Sequence, residues 1–204
     1  MLNMLKKIYY KLAENFFRLQ VKSLGVGSKL RFQGRVLGGD YVHMAPGVEI
    51  EKGWTIAVYP EYGGRDNPVK LASDKGVWLG ERGSYNRNLT IYCADSVKIG
   101  RDVMFGSYVL VTDNEHGTDP ASEVPYRFQP LKTSPVEIGD ECWIAEGVRI
   151  LAGTRIGEKS IVAANAVVKG EFPPYAMIAG MPARVVRVWD FGTNKWVRPK
   201  GGQR

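Results

Sequence analysis

The stretch "VTDNEHG" at residues 111–117 gathers Asp113, Asn114, Glu115 and His116 within four positions. His116 is one of only two histidines in 204 residues; the other, His43, follows Val42 far upstream and is expected to point outward to the surface or to another subunit. A zinc site draws three or four ligands, mostly from His and Cys. Two histidines with two scattered cysteines, Cys93 and Cys142, supply no such set, so no metal is expected. No serine or cysteine stands beside a partner as an activated nucleophile, which argues against a covalent intermediate. What remains for His116 is proton transfer, substrate binding, or a loop position with no special task. An imidazole, with an ordinary pKa of about 6.5, suits the first of these at neutral pH.

Composition narrows the partners. Hydrophobic residues make up 44% of the chain and charged residues 24%, the proportions of a globular protein with one sizeable core or one core and a small appendage. The formal charge of +7 invites an acidic partner such as a phosphorylated small molecule or an anionic membrane. Nucleic acid is not expected, because the 28 basic residues are dispersed and no RNA- or DNA-binding motif accompanies them. Two cysteines make no disulfide framework, and no signal peptide with a small-residue cleavage site or run of membrane-span length is present. The expected location is therefore the cytoplasm, with the inner face of the membrane as a further place for it, and both cysteines are expected as core thiols.

The elements that would hold His116 follow from periodicity. In residues 1–23, Leu2, Leu5, Tyr9, Leu12, Phe16 and Leu19 fall at alternating spacings of three and four, the pattern of an amphipathic helix. Lys6, Lys7, Lys11, Arg18 and Lys22 give it a basic side. Its apolar stripe could pack on the rest of the fold, and residues 1–22 could also make peripheral contact with anionic lipid. From residue 24 a period of six takes over: Leu24, Leu30, Val36, Val42, Val48 and Trp54, then a blurred stretch, then Cys93, Ile99, Phe105 and Val111. After a further interruption Ile138, Ile144, Ile150, Ile156, Val162 and Val168 keep the same interval. Small residues such as Gly100, Gly106, Gly139, Ala145, Gly157 and Ala163 usually follow the large one. A single hexad cannot bury its apolar side alone, so hexads must stack. Three make a triangular coil, and the fold expected is an all-β parallel β-helix over residues 24–188, with an extruded loop at about 114–135 and a basic tail at 189–204.

The register "VEIGDECWIAEGVRILAGTRIGEKSIVAANAVV" and the following "AGMPARVVR" resemble the left-handed β-helix acyltransferases of the hexapeptide-repeat superfamily. The similarity is strongest to sugar O-acetyltransferases, including galactoside and maltose acetyltransferases and those of capsule and lipopolysaccharide synthesis. The resemblance implies the left-handed winding, acetyl-CoA as acyl donor, a sugar or glycan acceptor, and a homotrimer with each active site between neighbouring subunits. It implies that His116, just after the strand that precedes the extruded loop, is the general base. "NRNLTI" matches the galactoside type and makes Asn86 the candidate for orienting the acceptor or positioning the backbone, while Asp113 keeps step with a "D-H-x-H" run whose first histidine is Asn114 here. By the same resemblance Ala145 and Ala163 line the pantetheine groove, and Lys169, Arg184 and Arg187 lie toward the nucleotide end of CoA, where guanidinium groups pair well with phosphate. N-acetylation of an amino sugar by the same machinery is the alternative activity, and a non-catalytic scaffold or binding subunit the alternative class.

Overall fold

The computed structural model describes residues 2–62 and 69–199. Past the N-terminal helix the chain winds through three parallel sheets, which form three faces visited in turn. On the first face Leu24, Met44, Leu79, Ile99, Ile138, Ile156 and Phe172 are in register. Leu30, Ile50, Tyr85, Phe105, Ile144, Val162 and Ile178 are in register on the second. The third carries Val36, Ile56, Ile91, Val111, Ile150 and Val168. These side chains point into the coil and nearly all are buried, each worth about 1.5–3 kcal/mol when fully removed from water. Backbone bonds run from coil to coil, as where Lys29 N–H donates to Val48 O at 2.8 Å and Ala145 N–H to Val162 O at 2.9 Å.

The hexad count slips in the lower coils. Leu24, Leu30 and Val36 stack on Met44, Ile50 and Ile56, two residues past the expected Val42, Val48 and Trp54. The extra residues are taken up at the turn Gly39–Tyr41, and the three displaced side chains are buried in a second inward position. In the same way Ile91, not Cys93, stacks on Val111, while Cys93 pairs with Val58 at the strand end. Cys93 and Cys142 are both free and buried, as core thiols should be. Corners need left-handed backbone. At Gly53 (φ +83°) a β-carbon would lie 2.1 Å from Asn88 Oδ1, and Asn88 itself turns the next coil at φ +59°.

Two excursions leave the coil, both between the third face and the first. One follows Thr55–Val58 and pairs Glu61–Tyr62 with Val69–Lys70; the other follows Leu110–Thr112 and pairs Asn114–Glu115 with Lys132–Thr133. The solenoid ends on the second face, where Ala176–Gly180 pairs antiparallel with Ala183–Asp190, and that strand with Lys195–Val197. The boundary at residue 189 falls inside this strand, so the sheet rather than a tail continues to Val197.

The helix, α1 (Leu2–Arg18), packs against the first coil. Its packed face is Ala13 and Phe17, both fully buried, with the Phe17 ring 5.0 Å from that of Trp54. The stripe read from spacing is a different one: Leu5, Leu12, Phe16 and Leu19 stay exposed, joined by Ile8. Small Ala13 lets the helix lie close to the coil, which turns that longer stripe away from it.

Candidate active site

His116 stands exposed at the root of the second excursion, and the root is held from below. Asp113, three residues before it, is fully buried. Its Oδ1 accepts the Ala94 N–H at 2.8 Å and the Asn114 Nδ2 at 2.9 Å, and its Oδ2 accepts the Asp95 N–H at 2.8 Å. One carboxylate thereby ties the loop to the backbone of the preceding coil. Burial, and then this carboxylate, raise the pKa of the adjacent Cys93 thiol and keep it protonated. Ser134 N–H donates to Asp113 O at 2.8 Å where the excursion returns. Further out, Gln129 is almost fully buried; its Nε2 donates to Asp119 O and Val124 O, and its Oε1 accepts the Asp119 N–H. Glu115 accepts a 2.8 Å bond from Lys169 Nζ, which reaches from the third face two coils above. The loop is thus folded on its own polar groups.

A second group lies along the opposite edge of the third face. Each inward residue of the second face is followed by a corner residue, and in successive coils these are Asn86, Gly106, Ala145, Ala163 and Ala179. Asn86 is exposed, and its Oδ1 caps the Arg87 N–H at 2.8 Å. Above it the column carries no side chain larger than a methyl. Arg184 pairs with Ala179 across the last antiparallel turn, and Arg187 with Met177; both are exposed. The arrangement is a smooth edge capped by cations.

Asn86, Ala145, Ala163 and Arg184 therefore share one edge, with Arg187 nearby on the second face. His116, Asp113 and Lys169 share the other edge. Sequence reasoning missed Gln129, which no motif marks within a polar loop, and Ala179, whose register depends on the shortened last coil. His43 belongs to neither edge. It is half-buried on the first face, stacked on Trp78 at 3.7 Å, with Nδ1 3.1 Å from Ser23 Oγ; desolvation, then Lys22, lowers its pKa. Among the described residues no cluster of three or more His, Cys, Asp or Glu could hold a metal ion.

A family model described as bacterial transferase hexapeptide (six repeats) matches residues 135–170. This segment of the chain is thus similar to the hexapeptide repeats of bacterial transferases. Among its relatives is a putative lipopolysaccharide biosynthesis O-acetyl transferase of Escherichia coli K12, 36% identical over 126 residues, which cover 59% of this chain. The match spans 64% of that relative's length. The galactoside O-acetyltransferase of the same organism is 28% identical over 162 residues, covering 77% of this chain and 78% of its own. Among solved structures, an N-acyltransferase from Bacillus cereus in complex with dTDP and 3-hydroxybutyryl-CoA superposes with a TM-score of 0.68 at 14% identity, covering 85% of this chain and 86% of that one. This last likeness is one of fold.

Proposed function

We propose that the protein is an acetyl-CoA-dependent O-acetyltransferase that acts on a sugar hydroxyl in cell-surface polysaccharide synthesis, on the cytoplasmic side of the membrane. The observation that carries this reading is the pairing of two edges: a column of Gly106, Ala145, Ala163 and Ala179 ending at Arg184, and His116 at the opposite edge of the same face. The small column fits an extended pantetheine arm, since nothing larger than a methyl stands between that arm and the backbone. Arg184 and Arg187 suit the phosphates at its far end. Two edges of one face cannot both border one site within a chain. A left-handed coil assembled as a homotrimer would bring the His116 edge of one copy to the smooth edge of the next.

In such a site His116 takes the proton of the acceptor hydroxyl as the oxygen attacks the thioester carbonyl. The tetrahedral intermediate collapses by breaking the C–S bond, and the imidazolium returns its proton to the departing thiolate. Asn86 orients the acceptor. Asp113 acts through position: with both its oxygens committed to Ala94, Asp95 and Asn114, it fixes the strand end from which His116 projects. Lys169 holds Glu115 beside the histidine, and a phosphate of the donor could compete for it.

The test is a screen of the purified protein with acetyl-CoA and a panel of free, nucleotide-linked and lipid-linked sugars, following thiol release. Acceptor-dependent release with an ester product supports the reading, and release with amino sugars alone, giving an amide, replaces it with N-acetylation. That second reading is favoured by the likeness in fold to the Bacillus cereus N-acyltransferase.

A further inference from the structure

The helix α1 carries an apolar face that none of the described residues covers. Leu5, Ile8, Leu12, Phe16 and Leu19 are all exposed, from 48% at Ile8 to 90% at Leu19. At 3.6 residues per turn they fall within about 80° of arc, one continuous stripe along the whole helix. The stripe continues onto the coil through Phe32, itself partly exposed, whose ring lies 5.7 Å from that of Phe16. A set of five large apolar side chains in line is more than the scattered exposure ordinary for a surface.

Charge decides what covers it. Lys11 is exposed about 60° beyond Ile8, on the side of the stripe away from the packed face, Lys7 is exposed further round on the polar side, and Lys22 is exposed just past the helix end. The one acidic residue of the helix, Glu14, is engaged by Arg18 at 2.7 Å, so it leaves the lysine charges uncompensated. A second copy of this chain, with a formal charge of +7, is a poor match for these lysines. An anionic lipid surface matches both parts: the stripe enters the acyl boundary while the lysines meet the headgroups. We propose that the exposed face of α1 docks the protein flat on an anionic membrane. The inference is independent of the acetyl-transfer reading, because none of these residues belongs to either edge of the candidate site.

The experiment is flotation of the full chain with vesicles of phosphatidylcholine alone and of phosphatidylcholine with 30% phosphatidylglycerol. It is run for the wild type, for Leu12→Asp with Leu19→Asp, and for Lys7→Gln with Lys11→Gln. The wild type should bind the anionic vesicles roughly thirty-fold more tightly than the neutral ones, the factor expected for two lysines near the surface, and high salt should remove most of the difference. The aspartate variant should lose binding by ten-fold or more with its sedimentation coefficient unchanged, and the glutamine variant should lose the preference for anionic lipid. Thiol release on a water-soluble acceptor should be equal in all three proteins, which separates failure of docking from failure of the chemistry. Equal binding to both vesicle types, no binding to either, or an aspartate variant that changes its oligomeric state while still binding vesicles would overturn the proposal; the last result would make the stripe a contact between copies.

Discussion

Along one edge of the third face, Gly106, Ala145, Ala163 and Ala179 succeed one another in register without a single insertion; along the other, the coil is broken twice, after Val58 and after Thr112. The difference follows from what each edge can offer. An uninterrupted row of small residues keeps the backbone open over several coils and fits a long, thin ligand. It cannot place an isolated polar side chain at a chosen angle. An excursion can do that, but its backbone leaves the coil-to-coil ladder and must be held by other groups. Asp113 and Gln129 are those groups, one fixing the root and the other the body of the loop. On the function proposed, regularity serves binding and its interruption serves chemistry.

Substitutions that break each edge should therefore fail differently. The largest effect is expected for His116→Ala: acetyl transfer should fall by roughly a hundred- to ten-thousand-fold, the usual range for a lost general base, while CoA affinity by calorimetry is unchanged. A loss of CoA affinity instead would put His116 with the binding edge. Next is Asp113→Ala, which leaves the Ala94 and Asp95 amides without their acceptor. At about 1–3 kcal/mol for each orphaned buried group, chemical denaturation should show a loss of roughly 2–6 kcal/mol, less any part that water recovers. Activity should fall with it because the root of the loop is freed, and a fully stable variant would remove Asp113 from the positioning role. Third, Arg184→Ala or Arg187→Ala should raise the Michaelis constant for acetyl-CoA and leave that for the sugar, by roughly ten-fold or more if each loses a charge-assisted contact of about 1.5–3 kcal/mol. The smallest effect belongs to Glu115→Gln. Its bond to Lys169 lies between exposed groups, and such pairs contribute about 0–1 kcal/mol, so the melting temperature should hardly move.

Much of the coil was legible because each inward position demands a large apolar residue at a fixed interval. From Ile138 to Val168 the beat read from sequence is the beat observed. It failed at Val42, Val48 and Trp54 because a two-residue insertion shifts every later residue to the other inward position, where it is equally apolar; composition cannot tell the two apart. For α1 the period was right and the buried face was not. An amphipathic pattern says that a stripe is apolar, and here small Ala13 decided which side could approach the coil. At the candidate site, the place of His116 beside a break in the repeat was legible. The hydrogen bonds of Asp113 were not, since its partners are backbone amides 18 and 19 residues away, brought near only by one turn of the coil.

On the function proposed, the two edges, kept apart within a chain, work together between copies. This is tested by co-refolding equal amounts of two inactive chains. The His116→Ala chain keeps the smooth edge, and an Ala163→Trp chain keeps His116 but blocks that edge with an indole. Random assembly should restore acetyl transfer to about a quarter of the wild-type rate per site, because one site in four then joins an intact histidine to an intact column. Activity no higher than that of either chain alone would contradict a shared site and return both edges to a single copy.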